Sequence, residues 1–296
     1  MLEFHEVTMA DREWVSKCFH AANQRGSEYT FANLFNWSKA YTMRIAPFDG
    51  FVIPRSGSTV YHYMYPAGQG DWQAAFAQIE EDAKQNKMPL SFYGIPADGI
   101  ERMEALYPGR FTFKPIRDNF DYLYLQESLS TLAGKKLHGK RNHINRFIEQ
   151  NPDWSYEQIT RGNIDEAWAM SVEWCKDNSC FETHSLQREA CAVKSAFEHY
   201  FEQQLVGGLL RAGGRVVAFT FGSPSTDDTF VVHVEKAFSE IQGAYPMINQ
   251  QFVRNELSQY TYVNREDDLG EEGLRRAKES YRPAMMYERY AASEKR

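Results

Sequence analysis

Two short apolar runs in this chain end abruptly in charge, and that pattern is its first chemical signal. Thr229, Phe230, Val231, Val232, His233 and Val234 lead into Glu235 and Lys236. Tyr260, Thr261, Tyr262 and Val263 lead into Asn264, Arg265, Glu266, Asp267 and Asp268. Between them, after Gly243, lie Ala244, Tyr245, Pro246 and Asn249, in a segment where Ile248, Phe252 and Leu257 keep helical spacing. A strand, helix, strand unit of this length runs its strands parallel, so both charged ends fall on one edge of the sheet. That edge is where α/β proteins hold ligands. Lys278 and Arg282, in and after the next helix, supply cations from a second segment. The plain alternative is a solvated loop after a strand. The convergence of Glu235 with the 265–268 run, about thirty residues away, favours a polar site for a charged metabolite.

A second chemical signal lies mid-chain. Residues 132–150 contain Lys135, Lys136, Lys140, Arg141 and Arg146, with His138 and His143. On a helix at about 100° per residue, Leu137, Ile144 and Ile148 share one face. Lys136, Lys140 and His143 line one flank, and Lys135 with Arg146 lie opposite the apolar stripe. The stripe anchors the segment, and its basic sides are open either to solvent or to phosphates.

The elements that must carry these residues follow from periodicity and turn signals. The first half reads as a strand at 2–8, a helix from Asp11, an aromatic-rich segment at 27–37, and strands at 42–46, 50–54 and 59–65. A helix at 71–86, a strand at 90–93, a helix at 98–106 and strands at 111–114 and 120–125 follow. The second half gives a strand at 154–160, helices at 165–177 and 186–203, and strands at 204–211, 215–222 and 229–235 joined by Gly213-Gly214 and Asp227-Asp228 turns. After the parallel unit come a helix at 271–280 and a closing strand at 285–290. The two halves share this order, which predicts a duplicated α/β (mixed-sheet) domain: 1–130, a basic connecting helix at 131–150, and 151–296 with the site.

Composition sets outer limits. A chain of 296 residues lets either half bury its own core. Hydrophobic content of 43% and charged content of 25% are ordinary for a globular protein, and 15% aromatics is high. A net charge of -7 argues against coating nucleic acid through the overall field, while a local basic patch remains open. No run reaches the roughly eighteen apolar residues that span a bilayer, and the first residues lack a signal-peptide pattern, so the expectation is a cytoplasmic protein with no transmembrane segment. Cys175, Cys180 and His184 have metal-ligand spacing but no fourth ligand, so no metal is expected and the four cysteines read as reduced, packed thiols.

Three stretches carry a family resemblance: SEYTFANLFNW (27–37), GKKLHGKRNHINRF (134–147) and VNREDDLGEEGLRRAKESYRP (263–283). They resemble the tandem GNAT (acyl-CoA N-acyltransferase) family related to the C-terminal domain of phosphatidylglycerol lysyltransferases, within the wider group of Fem-type aminoacyl transferases. The resemblance covers essentially the whole chain and implies two tandem GNAT-like domains. It implies an acyltransferase that moves an aminoacyl group from aminoacyl-tRNA to an amine or hydroxyl, on a small-molecule, peptide or lipid-headgroup acceptor. Glu235 and Asp267 would then be the catalytic carboxylates, holding an ammonium or accepting a proton. Tyr245, Asn249, Asn264, Arg265, Glu266, Asp268, Lys278 and Arg282 would contact substrate. Lys135, Lys136, Lys140, Arg141 and Arg146 would face tRNA phosphates.

No resident cofactor is expected; the donor is aminoacyl-tRNA or, alternatively, acetyl-CoA used by an N-acetyltransferase. A catalytically silent ligand- or tRNA-binding protein is the third reading. Coenzyme-A-binding relatives carry Q/R-x-x-G-x-G/A before a helix, and here the place reads Glu240, Ile241, Gln242, Gly243, Ala244, Tyr245. Glu240 replaces the leading Gln or Arg and Tyr245 the final small residue.

Overall fold

The computed structural model describes residues 2–180, 182 and 184–295. The chain divides into two compact units: Met1–Asp121 with Asp267–Glu272 and Met286–Arg296, and Tyr122–Glu266 with Gly273–Met285. This division is discontinuous, unlike the contiguous 1–130, 131–150 and 151–296 read from the sequence. The basic helix, His138–Gln150, belongs to the second unit, preceded by a 3-10 turn at Lys135–Leu137.

Fifteen strands form two mixed sheets among the described residues. In chain order they are β1 (His5–Glu6), β2 (Arg44–Phe48), β3 (Phe51–Ser56), β4 (His62–Met64), β5 (Ala67–Gly68), β6 (Ser91–Ile95), β7 (Phe111–Pro115) and β8 (Asp121–Leu125). Then come β9 (Ser155–Gln158), β10 (Val206–Ala212), β11 (Arg215–Thr226), β12 (Thr229–Ala237), β13 (Tyr262–Asn264), β14 (Met285–Tyr287) and β15 (Tyr290–Glu294). The first sheet runs β1-β2-β3-β4-β6-β15-β7, with β5 also on β3, and the second runs β14-β8-β13-β12-β11-β10-β9. Both are the tandem GNAT-like architecture that the element order implies.

The turn signals work as expected. Asp49 and Gly50 both take positive φ, 41° and 81°, and close β2 on β3 with Phe48 opposite Phe51. Gly213 and Gly214 do the same between β10 and β11. Period-two alternation then sorts side chains to the two faces of the first sheet. Phe51 and Ile53 join Tyr63, Phe76 and Phe92 in one core, while Val52 joins Val15, Phe19, Tyr29 and Leu34 in another.

The ends of the two halves depart from the simple repeat. The expected closing strand at 285–290 is two strands, and they lie in different sheets. β15 sits between β6 and β7 in the first sheet, and β8, from the first half, sits between β13 and β14 in the second. Each half has exchanged its final strand with the other. Periodicity cannot reveal this, because a strand's pattern specifies a buried face and not which neighbour supplies its hydrogen bonds.

Cys175 and Cys180 form a disulfide, which corrects the expectation of reduced thiols there: the turn after the helix Ile164–Asp177 brings their Cα atoms to 5.1 Å. Cys18 is a buried thiol and Cys191 an exposed one. The side chain of His184, the third member of the metal-like spacing, lies outside the described residues. Among the described residues no helix is long and apolar enough to cross a membrane.

Candidate functional site

β12 and β13 pair in parallel, as the sequence requires, from Thr229 opposite Tyr262 to Val231 opposite Asn264. Pairing then stops, and β12 continues alone on that side. Its register against β11 shifts between Phe221 and Gly222, leaving His233 as an extra residue. A bulge of this kind bends a strand and re-aims the side chains beyond it. Glu235 lies two residues past the bulge, and Arg265 follows the last paired residue of β13.

The two side chains meet at 2.7 Å, Arg265 Nη2 donating to Glu235 Oε1. Asn249, one and a half turns into the helix Ala244–Glu256, donates Nδ2 to Glu235 Oε2 at 2.8 Å. The guanidinium lies 4.7 Å from the Tyr281 ring centroid and 5.7 Å from that of Tyr124. Only 13% of the Arg265 side chain and 11% of the Glu235 side chain is exposed, so the ion pair is held in a low-dielectric surround. Two polar atoms there, Asn249 Oδ1 and Arg265 Nη1, are buried without a hydrogen-bond partner among the described residues. Leaving such groups unpaired costs about 1–3 kcal/mol each, so they mark a place where a bound molecule would supply the partners.

Beside this pair opens a cavity of about 250 Å³ lined by Lys136, Lys140, His143, Ser280 and Arg282. Its charge is all of one sign. Lys140 Nζ sits 4.0 Å above the same Tyr281 ring that Arg265 touches, which ties the cavity to the ion pair. Burial and then Arg265 pull the Lys140 ammonium down to about 8, with Glu235 partly opposing. At pH 8 about half of Lys140 is then the free amine, against less than about 1% of an ordinary lysine near 10.4. Brief treatment with acetic anhydride at pH 8 is therefore expected to modify Lys140 ahead of the other lysines by at least tenfold, read by peptide mass spectrometry. Uniform labelling would mean the amine is an ordinary one.

Arg282 reaches the cavity from a strained backbone. Its φ is 60°, in the left-handed region, although Pro283 follows it. Glu266 is likewise left-handed, with φ of 57°. Non-glycine residues held this way cluster at functional sites.

The remaining residues singled out from the sequence have local partners. Glu266 Oε1 faces His233 Nδ1 at 2.8 Å, and His233 Nε2 faces Ser223 Oγ at 2.8 Å, fixing the bulged residue from both sides. Asn264 Oδ1 accepts from the Glu266 N–H. Lys278 donates to the Arg265 carbonyl at 2.5 Å. Tyr245 is partly buried, with its hydroxyl pushed up by burial and set against the Ala237 backbone and the Trp174 indole. Of the basic segment, Arg141 Nη1 is bonded to the carbonyls of Leu132 and Gly134, which ties down the turn before the helix. Lys136 and Lys140 line the cavity described above.

Asp267 and Asp268 belong to the first unit, and so does a second buried charge cluster. Arg289 Nη2 lies 2.5 Å from Asp121 Oδ2 and 2.6 Å from Glu28 Oε2, with Nη1 3.7 Å from Asp267 Oδ2. Asp121 also accepts from the Ser27 N–H at 2.7 Å. Asp268 Oδ2 accepts from Arg117 at 3.1 Å. The two carboxylates expected to work as a pair, Glu235 and Asp267, thus each have an arginine within their own unit. Sequence reasoning missed Asp121, which opens the strand β8, and Arg289, in the connection between β14 and β15, and it assigned no role to Glu28 or Tyr281.

A family model described as phosphatidylglycerol lysyltransferase, C-terminal, matches residues 19–293. The chain belongs to this family. A protein of unknown function from Bacteroides thetaiotaomicron is 40% identical, with a TM-score of 0.95 over 100% of both chains. The structure of L-PGS from Bacillus licheniformis is 17% identical, with a TM-score of 0.61 over 88% of this chain and 86% of that one, and so shares the fold. An uncharacterized protein of Mycoplasmoides gallisepticum is 24% identical over 183 residues, 57% of this chain; the match spans 54% of that relative's length.

Proposed function

We propose that this chain is an aminoacyl transferase of the aminoacyl-tRNA-dependent type, with its reaction centre at Glu235, Arg265 and Asn249 beside the cationic cavity. The observation that carries the reading is the pair of unpartnered buried atoms at the Glu235–Arg265 contact. An α-aminoacyl ester offers what they lack: an ammonium for Asn249 Oδ1 and Glu235, and a carbonyl oxygen for Arg265 Nη1. An acceptor hydroxyl or amine attacks that carbonyl, and its proton passes to the Lys140 free amine. The negative charge that forms on the carbonyl oxygen is met by Arg265, with Lys136 and Arg282 nearby. Collapse breaks the ester bond, and the proton returns from Lys140 to the departing ribose oxygen. The family name and the L-PGS likeness favour a lysyl group and a phosphatidylglycerol headgroup as the pair to test first.

The rival donor, acetyl-CoA, fits less well. In a coenzyme-A site the pyrophosphate rests on the backbone at the helix start. Here that start is covered: a Cβ on Gly243, whose φ is 85°, would lie 2.2 Å from the His143 carbonyl oxygen of the basic helix. The glycine that a phosphate loop needs for close approach of ligand serves close approach of a neighbouring helix.

The test incubates the chain with pooled radiolabelled aminoacyl-tRNAs and phosphatidylglycerol vesicles or an amine peptide, and follows label into product. Glu235→Gln is expected to cut transfer by at least 100-fold while leaving the fold intact by circular dichroism. Full activity in that variant removes Glu235 from the mechanism. Product formed from acetyl-CoA in place of aminoacyl-tRNA replaces the reading with its rival.

A further inference from the structure

Ser223, His233 and Glu266 stand in line across neighbouring strands of the second unit. Ser223 is on β11, His233 is the extra residue of the β12 bulge, and Glu266 comes two residues after β13, in the strand order β13-β12-β11. Ser223 Oγ lies 2.8 Å from His233 Nε2, and His233 Nδ1 lies 2.8 Å from Glu266 Oε1. With Nδ1 donating to Glu266, Nε2 is left to accept the Ser223 hydroxyl proton. A hydroxyl, an imidazole and a carboxyl group joined in this order are what a serine nucleophile needs: a base for its proton and a group that orients the base.

We infer that Ser223, His233 and Glu266 form a second catalytic site, which hydrolyses a small carboxylic ester through an acyl-Ser223 intermediate. It is separate from Glu235, Arg265 and Asn249. Glu235 opposes Thr220 on β11, and Ser223 lies three residues further along that strand, on the opposite face of the sheet. Consecutive residues after β13 divide in the same way, Arg265 turning to Glu235 and Glu266 to His233. The inference therefore stands without the aminoacyl-transfer reading.

The surroundings suit the role. Asn264 Oδ1 accepts from the Glu266 N–H at 2.7 Å and pins the left-handed backbone, φ 57°, from which Glu266 reaches His233. Ser223 is 7% exposed, which limits the substrate to a slender one. Phe221, two residues before Ser223 on the same face, packs with Phe197, Phe219 and Tyr200, an apolar neighbourhood that favours an apolar acyl group. A second observation points to a ligand. The Tyr200 hydroxyl is buried without a hydrogen-bond partner among the described residues. A Cβ on Gly207, which opposes Phe221, would lie 2.6 Å from Tyr200 Oη, so this hydroxyl is on the Ser223 face, one strand across. Burial and then the Glu256 carboxylate push its pKa up, which keeps it an O–H donor, and the oxyanion of an ester hydrolysis is an acceptor for it.

In the reaction Ser223 Oγ attacks the ester carbonyl as His233 Nε2 takes its proton, and Tyr200 Oη donates to the oxygen that becomes negative. Collapse breaks the bond to the alcohol oxygen, which leaves with the proton from His233. Water then attacks the acyl-Ser223 ester, its proton passes through His233 to Ser223 Oγ, and the carboxylic acid departs. One ester and one water give one acid and one alcohol.

The experiment treats the full chain with a small fluorophosphonate, locates the adduct by peptide mass spectrometry, and follows p-nitrophenyl acetate hydrolysis in parallel. An adduct on Ser223 is expected, with hydrolysis falling by at least about 100-fold in both Ser223→Ala and His233→Gln. Tyr200→Phe, which removes one oxygen and keeps the ring, is expected to retain the adduct and to slow hydrolysis by about tenfold or more. An unlabelled Ser223 in the folded parent chain overturns the inference, as does hydrolysis unchanged by Ser223→Ala, which would place the turnover on surface side chains. The adduct is read on the parent chain, so that outcome does not depend on any variant folding.

Discussion

Arg265→Met is expected to destabilise the second unit by about 3–5 kcal/mol, because it strands a buried carboxylate. Glu235 would keep the Asn249 amide as a neutral donor and lose its 2.7 Å charge partner. Adding Glu235→Gln to the same chain is expected to recover most of the loss. A buried ion pair contributes little net stability once its desolvation is counted, so removing both charges is far milder than removing one. Urea denaturation of the single and double variants, with hydrogen exchange localising the change to residues 122–266, gives the comparison. Equal losses in the single and the double variant would mean that packing of Arg265 on Tyr281 and Tyr124, not charge, is what the unit needs. The double variant is also expected to be inactive, which separates the stability of this site from its chemistry.

In the first unit, stability is expected to fall as pH rises from about 4.5 to about 8, and Glu28→Gln is expected to abolish that fall. Three carboxylates surround the single Arg289 guanidinium, which cannot neutralise all of them. Asp121 takes the closest contact and the Ser27 N–H. Neither Glu28 oxygen has a well-formed hydrogen bond. Burial pushes its carboxyl up to about 8, Arg289 opposes this, and Asp121 and Asp267 add to it.

The sign follows from linkage. An unfolded glutamate loses its proton near 4.5, so between that pH and about 8 the unfolded chain binds fewer protons than the folded one. Stability is complete below the unfolded value and drains away as pH rises, at up to roughly 1.4 kcal/mol per pH unit from this group. Glu28→Gln carries no titrating proton, so its urea midpoint should change little between pH 5 and pH 8.5 and should exceed the parent's at the higher pH. The same slope in parent and variant would show that Glu28 is ionised beside Arg289 throughout.

These two clusters also show how far the residues alone carry the argument. The parallel pair, the helix between them, the turn glycines and the family stretches are local in sequence. Each is encoded by a period of two or 3.6 residues, or by a dihedral that glycine or asparagine-like residues tolerate, and these can be read without coordinates. Glu235 and Arg265 were legible as partners for that reason, since parallel pairing places both strand ends on one edge. The chain order of Lys140 and Tyr281 gives no such cue. They come from a helix and from a loop about 140 residues apart, and what joins them to Arg265 is a shared aromatic face.

The amino-acid sequence by itself determined the mixed α/β elements, the duplicated order, the Glu235–Arg265 edge and the family. Only the tertiary structure decided which sheet each closing strand enters, and that Asp267 keeps company with Arg289 in the first unit. It also decided that Gly243 accommodates a helix backbone. Periodic patterns record which face of an element is buried, but the identity of the neighbour that buries it depends on contacts between segments far apart in the chain, and those are settled only when the whole chain packs.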